Sequence, residues 1–287
     1  MNTIAEVIEA AARPAVDGRS GLNAPPALQS WPGIVHGGAV VALLDAAAGA
    51  LGVTRGPRVL EGRLTSSLPL ECDLDLDAEP WEDGVTLTAR RDGQTLSSGT
   101  IRPLPAGDGI AAPWAGGGDG ARLPMSDDCL ACGARNPLGL RVALRFDDDG
   151  VWARVTPGPA WRAPGDRLHP ALPPVLLDEV SWWLGALVAR EGGLTNRIDV
   201  AMVAPDAPWG EPLIAAGRFA DVTAVDRKRT FWRARTALAT ARGDLLATGS
   251  VVFRGGADYS ARQLPYFRSR TGPDAFRRMF PNHVERL

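Results

Sequence analysis

Two segments of the chain each place a histidine nine residues before an aspartate. The first segment runs from His36 to Asp45 and the second from His169 to Asp178, and each aspartate closes a Leu-Leu-Asp run. A carboxylate inside an apolar run is costly unless it is paired or functional. Such a group can act as a general base or as a nucleophile. Both aspartates are therefore candidate catalytic residues.

The residues after the first histidine suit stabilisation of an oxyanion. Gly37 and Gly38 follow His36 where a helix is predicted to begin. A helix N-terminus presents unpaired N–H groups and a partial positive charge, and glycine lets a substrate approach them. One donor of this kind is worth about 3–4 kcal/mol in known enzymes. His36 itself either takes part in the site or caps the loop before the helix.

The elements that must position these residues form a repeat. Residues 36–50 match residues 169–183, and residues 85–101 match residues 233–253 in the same order. Each copy predicts one buried helix, at 37–51 and 173–190, accompanied by antiparallel strands, which is an α+β layer arrangement. The predicted strands are 58–64, 68–76, 85–89 and 95–101 in copy 1, and 141–146, 151–156, 197–203, 213–222, 230–240 and 244–253 in copy 2.

This pattern predicts two domains. The first spans 1–105, with reduced or missing strands before its helix. A linker rich in Gly, Pro and Ala follows at 106–124, and the second domain spans 125–255. The tail, 256–287, is expected to add a short surface helix at 273–279.

Two motifs carry a family resemblance. Residues 33–38, GIVHGG, with Asp45 nine residues past the histidine, resemble the hotdog thioesterases of the phenylacetyl-CoA thioesterase-like group. Residues 129–146, CLACGARNPLGLRVALRF, resemble a Cys-x-x-Cys-Gly opening found in that superfamily. The resemblance implies a tandem (double) hotdog, with two long central helices against a continuous antiparallel sheet. It also implies a thioester hydrolase acting on acyl-CoA or acyl-carrier protein at the seam between the two units.

The two copies differ where that site would form. Copy 2 has Pro170 and Ala171 in place of the two glycines, and proline has no N–H to donate. If each site takes its helix N-terminus from one unit and its acid from the other, the glycines of copy 1 face Asp178, with Glu179 and Ser181 nearby. We therefore predict one competent site, with Asp178 as base or nucleophile, and a second site that is inactive or structural.

Further residues are candidates for substrate binding. Trp182 follows Asp178 on the same predicted helix and either narrows the acyl pocket or belongs to the core. Arg227, Lys228 and Arg229 precede a strand. They either clamp the phosphates of CoA or form an exposed hairpin tip.

Composition excludes several other classes of protein. The net charge of −2 indicates neither nucleic acid nor an anionic membrane as a partner. The sequence contains no uninterrupted run of about 18 apolar residues, so no membrane span is predicted. Three cysteines give no disulfide framework, which favours the cytoplasm. Cys129 and Cys132 supply two of the four ligands that zinc needs, so we expect a turn there and no metal or cofactor. The resemblance also suggests a homo-oligomer of such pseudo-dimers.

Two alternative functions remain open at this stage. The chain could bind acyl thioesters without turning them over, as a scaffold whose second motif has decayed. It could also be a hotdog hydratase or dehydratase. Those enzymes resemble a pattern with Asn-Pro-x-His, whereas Gly139 stands where the histidine would be.

Overall fold

The computed structural model describes residues 3–16, 19–53, 56–105 and 119–283. Five α-helices lie in these ranges: α1 Ile4–Ala11, α2 Gly37–Ala50, α3 Leu172–Ala189, α4 Ala257–Ser269 and α5 Pro273–Met279. The strands up to α3 are β1 Ala12–Val16, β2 Arg19–Leu22, β3 Arg58–Leu64, β4 Leu74–Trp81, β5 Gly84–Arg91, β6 Gln94–Pro103, β7 Ala121–Arg122, β8 Arg145–Phe146, β9 Gly150–Val155, β10 Arg162–Ala163 and β11 Arg167–Leu168. The strands after α3 are β12 Gly193–Met202, β13 Leu213–Arg218, β14 Thr223–Ala224, β15 Phe231–Thr240 and β16 Leu245–Gly255.

One antiparallel sheet of 14 strands runs through the molecule. Its main path is β1-β2-β4-β5-β6-β3-β12-β16-β15-β13-β9-β8-β7, and β14 pairs with β15 at the side. Strands from the first 105 residues form one end, and strands from residue 121 onward form the other. The two blocks join where β12 pairs with β3, from Arg197 opposite Arg63 to Met202 opposite Arg58.

Helices α2 and α3 are the buried helices of this α+β arrangement. Their sequences are apolar nearly all round, as expected for helices covered on most sides, and the buried positions run along almost their whole length. The two helices contact each other, and both contact β12. They begin and end within one residue of the predicted limits.

Most strands fall where the sequence predicts them, with two corrections. The predicted strand 68–76 is displaced to β4, because Glu71 has a φ of 52° and the Leu68 carbonyl accepts a hydrogen bond from Val35 in the loop before α2. The predicted strand 141–146 shrinks to β8. Arg141 has a φ of 53°, and the Val142 N–H donates to Ala131 in the cysteine-bearing loop.

Both ends of the chain hold elements that the sequence analysis missed. The short strands β1 and β2 precede α2, where few or no strands are predicted, and α4 precedes the predicted helix α5. Helix α5 has the predicted limits, but Phe276 and Met279 are buried, so it is more than a surface appendage. Most of the predicted linker, residues 106–118, lies outside the described residues.

Helix α3 is long and apolar enough, by length and composition alone, to cross a membrane. The sequence shows no uninterrupted apolar run here, because Asp178 and Glu179 interrupt it. In the structure 78% of this helix is buried inside the protein. That burial is what the central helix of a folded core shows.

Candidate active site

A cavity of about 330 Å³ lies between the start of α2, the middle of α3 and the start of β12. Helix α4 and the cysteine-bearing loop complete its wall. Of the predicted site residues, this cavity brings together His36, Gly37, Asp178, Glu179 and Trp182. The cavity therefore combines residues from the first 105 positions of the chain with residues from position 121 onward.

The start of α2 is organised around His36. This residue is the N-cap, and its Nδ1 accepts a hydrogen bond of 3.2 Å from the Gly38 N–H. The same N–H lies 2.8 Å from Asp178 Oδ2, which makes the carboxylate its better acceptor. Gly37 is the first helical residue and lines the cavity. Its N–H has no acceptor within the helix.

Asp178 is held in place by groups from two other elements. Oδ2 accepts from Gly38 on α2, and Oδ1 accepts the hydroxyl proton of Thr195 on β12 at 2.7 Å. The residue is 4% exposed. Burial raises the pKa of Asp178 above its ordinary value, although the charge of His36 and both hydrogen bonds act in the opposite direction. The carboxylate is thus both fixed and more basic than an exposed one.

Three ionisable side chains, Asp178, Glu179 and Cys129, surround the His36 ring. Nε2 lies 3.3 Å from Glu179 Oε2, and Nδ1 lies 3.3 Å from Asp178 Oδ2. Burial works against the charged ring, but hydrogen bonds to Cys129 and Glu179 outweigh it and raise the pKa of His36 well above its ordinary value. A hydrogen bond from Cys132, aided by His36, lowers the pKa of Cys129 to about 6 despite burial and the nearby Glu179.

Gly37 and Gly38 allow other groups to come close, but these groups belong to α3 and not, as the sequence suggested, to a substrate. A Cβ on Gly38 would overlap the Pro174 carbonyl and lie 2.5 Å from Val175 Cα, so this glycine lets α2 and α3 cross. A Cβ on Gly37 would lie 2.7 Å from Asp178 Oδ2, so this glycine admits the carboxylate. Because the Gly38 N–H is engaged by Asp178, only Gly37 of the pair keeps its position as a candidate oxyanion donor.

Aromatic side chains form the apolar wall. Trp182 makes edge-to-face contacts with Trp183 and Phe267, and its Nε1 donates to the Gly193 carbonyl at 3.1 Å. Trp31 contacts Phe267 from the other side. Ser181 is not in the cavity: it is fully buried, and its hydroxyl is 3.0 Å from the Thr236 hydroxyl on β15. The structure therefore does not bring Ser181 together with the other predicted binding residues, because the helix turns it toward the sheet.

The other two motif residues, Asp45 of the first motif and His169 of the second, lie in a separate cavity of about 340 Å³ that also contains Arg58. His169 Nδ1 accepts from the Ala171 N–H at 3.2 Å, just as His36 does from Gly38. Asp45, however, receives two hydrogen bonds from the buried Arg58 guanidinium, at 2.7 and 2.6 Å. The structure does not bring Asp45 to the cavity that holds Asp178.

The basic tripeptide lies outside both cavities. Arg227, Lys228 and Arg229 are exposed in the connection between β14 and β15. The next residue, Thr230, accepts a hydrogen bond from Gly255, and Gly255 follows the cavity-lining Arg254. The tripeptide therefore precedes the start of β15, which lies beside the end of β16 that carries Arg254.

Several cavity residues were missed from the sequence. Cys129 was interpreted only as part of a turn, although its buried sulfur lies 3.9 Å from Glu179 Oε2. Thr195, Tyr259 and Phe267 also line the cavity. For Cys129, the Cys-x-x-Cys spacing with Cys132 was the one sequence feature that could have indicated a place in the site. Nothing in the sequence around Thr195 or in the tail indicated a place in the site.

Comparison with known proteins identifies the fold. The sequence matches no protein-family model and no curated protein. A hot dog fold protein from Alicyclobacillus acidocaldarius is similar in structure, with a TM-score of 0.58, 17% identity and coverage of 87% of this chain and 98% of that one. An acyl-CoA thioesterase II from Mycobacterium marinum has a TM-score of 0.55, 13% identity and coverage of 85% and 94%. A bifunctional dehydratase-cyclase domain from ambruticin biosynthesis has a TM-score of 0.51, 22% identity and coverage of 88% and 96%. The chain therefore has an α+β hotdog fold, as the motif resemblance predicted.

Proposed function

We propose that the chain hydrolyses an acyl thioester of CoA or of an acyl-carrier protein in the cavity between α2 and α3. The observation that carries this proposal is the Asp178 carboxylate, buried and held by Gly38 and Thr195 beside the first amide of α2. A carboxylate of raised pKa next to a helix N-terminus combines a base with an electrophilic site. The similar structure named acyl-CoA thioesterase II supports this choice of reaction.

The site also supports a tandem arrangement of two hotdog units. We assign residues 1–105 to the first unit, 106–124 to the linker, 125–255 to the second unit and 256–287 to the tail. Each block of the sheet carries one buried helix, and β3 pairs with β12 where the blocks join. The cavity takes its helix N-terminus from the first block and its carboxylate from the second. A cytoplasmic homo-oligomer of such pseudo-dimers stays a prediction.

In this mechanism Asp178 removes a proton from a water molecule, and the water oxygen attacks the acyl carbon. The Gly37 N–H and the positive end of α2 stabilise the negative charge that develops on the carbonyl oxygen. The carbon–sulfur bond then breaks, and the thiolate takes up a proton. The products are a free acid and a thiol. As a nucleophile, Asp178 would give the same products through an anhydride.

The experiment compares Asp178→Asn with Asp45→Asn in a thiol-release assay across a panel of acyl-CoA substrates. Loss of a general base lowers turnover by about 10²–10⁴-fold, and we expect this loss in Asp178→Asn. Asp45→Asn should retain turnover, because Asp45 is bound to Arg58 in the other cavity.

Thermal unfolding of both variants serves as the control. Asp45→Asn leaves the Arg58 charge buried without its ionised partner, so this variant should unfold at a lower temperature. Loss of hydrolysis in folded Asp45→Asn alone would overturn the assignment. Binding of acyl-CoA by the native chain with no turnover would instead identify an acyl-thioester-binding protein.

A second candidate function is loss of water from a 3-hydroxyacyl thioester. It is favoured by the 3.3 Å approach of His36 Nδ1 to Asp178 Oδ2, which puts an acid and a base in one cavity. One similar structure is named a dehydratase-cyclase domain. Formation of an unsaturated product from a 3-hydroxyacyl-CoA, without thiol release, would select this reaction.

The walls of the cavity suggest how a substrate would be bound. Trp182 and Phe267 line the cavity and contact each other edge to face, and we propose that these bulky rings narrow the acyl pocket and favour a small or flat acyl group. Arg254 lines the cavity near the end of β16, and the exposed basic residues 227–229 precede the start of the neighbouring strand β15. We propose that these basic residues bind the phosphates of CoA, since guanidinium groups suit phosphate.

A further inference from the structure

A second cluster lies in the cavity beside the proposed base. One ligand atom each from His36, Cys129 and Glu179 lie within 4.8 Å of one another. His36 and Cys129 are 2% and 4% exposed, and the Glu179 side chain is 11% exposed. The hydrolytic mechanism gives no task to Cys129 or to Glu179.

The charges of this cluster do not balance. Within the described ranges, the only ion-pair partner shown for Asp178 or Glu179 is the single His36 ring. The Cys129 sulfur accepts a hydrogen bond from the Ala131 N–H at 3.3 Å and points its thiol at Glu179 Oε2, 3.9 Å away; loss of the thiol proton to a metal would add a third negative charge. Buried charges in proteins are paired or coordinate metals. A divalent cation would take the place of the imidazolium proton of His36 and the thiol proton of Cys129, since metal binding requires a neutral imidazole and a thiolate.

The distances within the cluster suit a shared cation. In a tetrahedral zinc site the bonds to N and O are about 2.0–2.1 Å, so an N and an O ligand lie roughly 3.3 Å apart. His36 Nε2 and Glu179 Oε2 are 3.3 Å apart, which is longer than the roughly 2.7–2.9 Å of a charge-assisted hydrogen bond. A sulfur and an oxygen ligand would lie roughly 3.5 Å apart, and Cys129 Sγ is 3.9 Å from Glu179 Oε2.

The surroundings of His36 add a further argument. A histidine that binds zinc through one ring nitrogen usually donates its other N–H to a carboxylate. His36 Nδ1 faces Asp178 Oδ2 at 3.3 Å. With Nδ1 protonated, the Gly38 N–H donates only to that oxygen, at 2.8 Å, and no longer to the ring. The ring is therefore oriented with Nε2 toward Cys129 and Glu179.

We propose that the chain binds one Zn²⁺ ion through His36 Nε2, Cys129 Sγ and a Glu179 carboxylate oxygen. Imidazole, thiolate and carboxylate are the ligand types that zinc takes, and three protein ligands leave a fourth position open. All three residues line the cavity, so the fourth position faces it. The sequence predicts no metal because it shows only the two cysteines as ligands. The fold supplies the others from the start of α2 and from α3.

The experiment measures metal content by elemental analysis of the full-length chain, stripped with chelator, reconstituted with Zn²⁺ and dialysed. We expect about one Zn²⁺ per chain. Cys129→Ser and Glu179→Gln should each weaken zinc binding by more than about 100-fold, beyond the 10–100-fold that follows loss of an outer-shell group. Cys72→Ser is the matched control, because Cys72 is partly exposed and is not part of the cluster.

Cobalt gives a second readout that needs no substrate. Reconstitution with Co²⁺ should produce a thiolate-to-cobalt charge-transfer band in the native chain and in Cys72→Ser, but not in Cys129→Ser. A folded native chain that binds no zinc, or zinc binding unchanged in Cys129→Ser, would overturn the proposal. Zinc binding does not depend on thioester hydrolysis, so a chain that binds zinc but releases no thiol would refute the proposed function alone.

Discussion

The position of Asp178 depends in part on the hydroxyl group of Thr195, a residue that the sequence does not mark as functional. Thr195 lies in the part of β12 that lines the cavity, and its hydroxyl donates to Asp178 Oδ1 at 2.7 Å. This hydrogen bond favours the ionised carboxylate, whereas burial disfavours it and raises the pKa of Asp178. Thr195 is thus a positioning residue that also sets how basic the carboxylate is.

Removal of that hydroxyl should shift the pH dependence of hydrolysis. The base must be ionised, so activity falls as the pH drops through the pKa of Asp178. A hydrogen bond to a charged group is worth about 1.5–3 kcal/mol, and about 1.36 kcal/mol corresponds to one pH unit. Thr195→Val should therefore move the acid limb of the kcat/KM profile up by roughly one to two pH units.

Thr195→Ser is the matched control for this measurement, because serine keeps the donor. Its acid limb should stay at the native position. If Thr195→Val lowers activity equally at every pH, the threonine only shapes the cavity and the proposed effect on Asp178 is wrong.

Among the elements, the crossing of α2 and α3 determines how the two halves of the site meet. Gly38 lies against Pro174 and Val175 with no room for a Cβ. The close crossing brings the Asp178 carboxylate to the Gly38 N–H. Both the packing of α2 against α3 and the geometry of the site therefore depend on Gly38.

Gly38→Ala should separate the helices and weaken both properties. Overpacking of a tight core costs about 1–3 kcal/mol, so we expect a loss of that size in urea unfolding and a marked fall in hydrolysis. Gly158→Ala is the control, because a Cβ there meets nothing within 4 Å and the φ of Gly158 is −70°. Native stability in Gly38→Ala would show that the helices can adjust without cost.

The elements also show which features the sequence could predict. The repeat predicted α2 and α3 because apolar composition and the His-to-Asp spacing are local signals. Local patterns could not predict that residues 68–72 leave the strand, since Glu71 adopts a positive φ and Leu68 bonds to the loop before α2. Cys129 and Thr195 reach the cavity only through long-range packing. Their roles could not be predicted from neighbouring residues.

The molecule as a whole is asymmetric although its sequence repeats. The pairing of β3 with β12 joins the two blocks of strands into one sheet, and in the turns at His36 and His169 a backbone N–H donates to the histidine ring. In one cavity the turn meets the Asp178 carboxylate. In the other, Arg58 engages both oxygens of Asp45. Only the first arrangement leaves a carboxylate without an arginine partner in the described part of the chain.

One substrate should therefore bind per chain. Pro170 has no N–H where the first site has Gly37, and Arg58 neutralises the carboxylate of the second site. Calorimetric titration with a non-hydrolysable thioether analogue of an acyl-CoA should give a stoichiometry of one, and Asp45→Asn should not change it. A stoichiometry of two that falls to one in Asp45→Asn would show that both cavities bind substrate, and the predicted division between an active and an inactive site would be wrong.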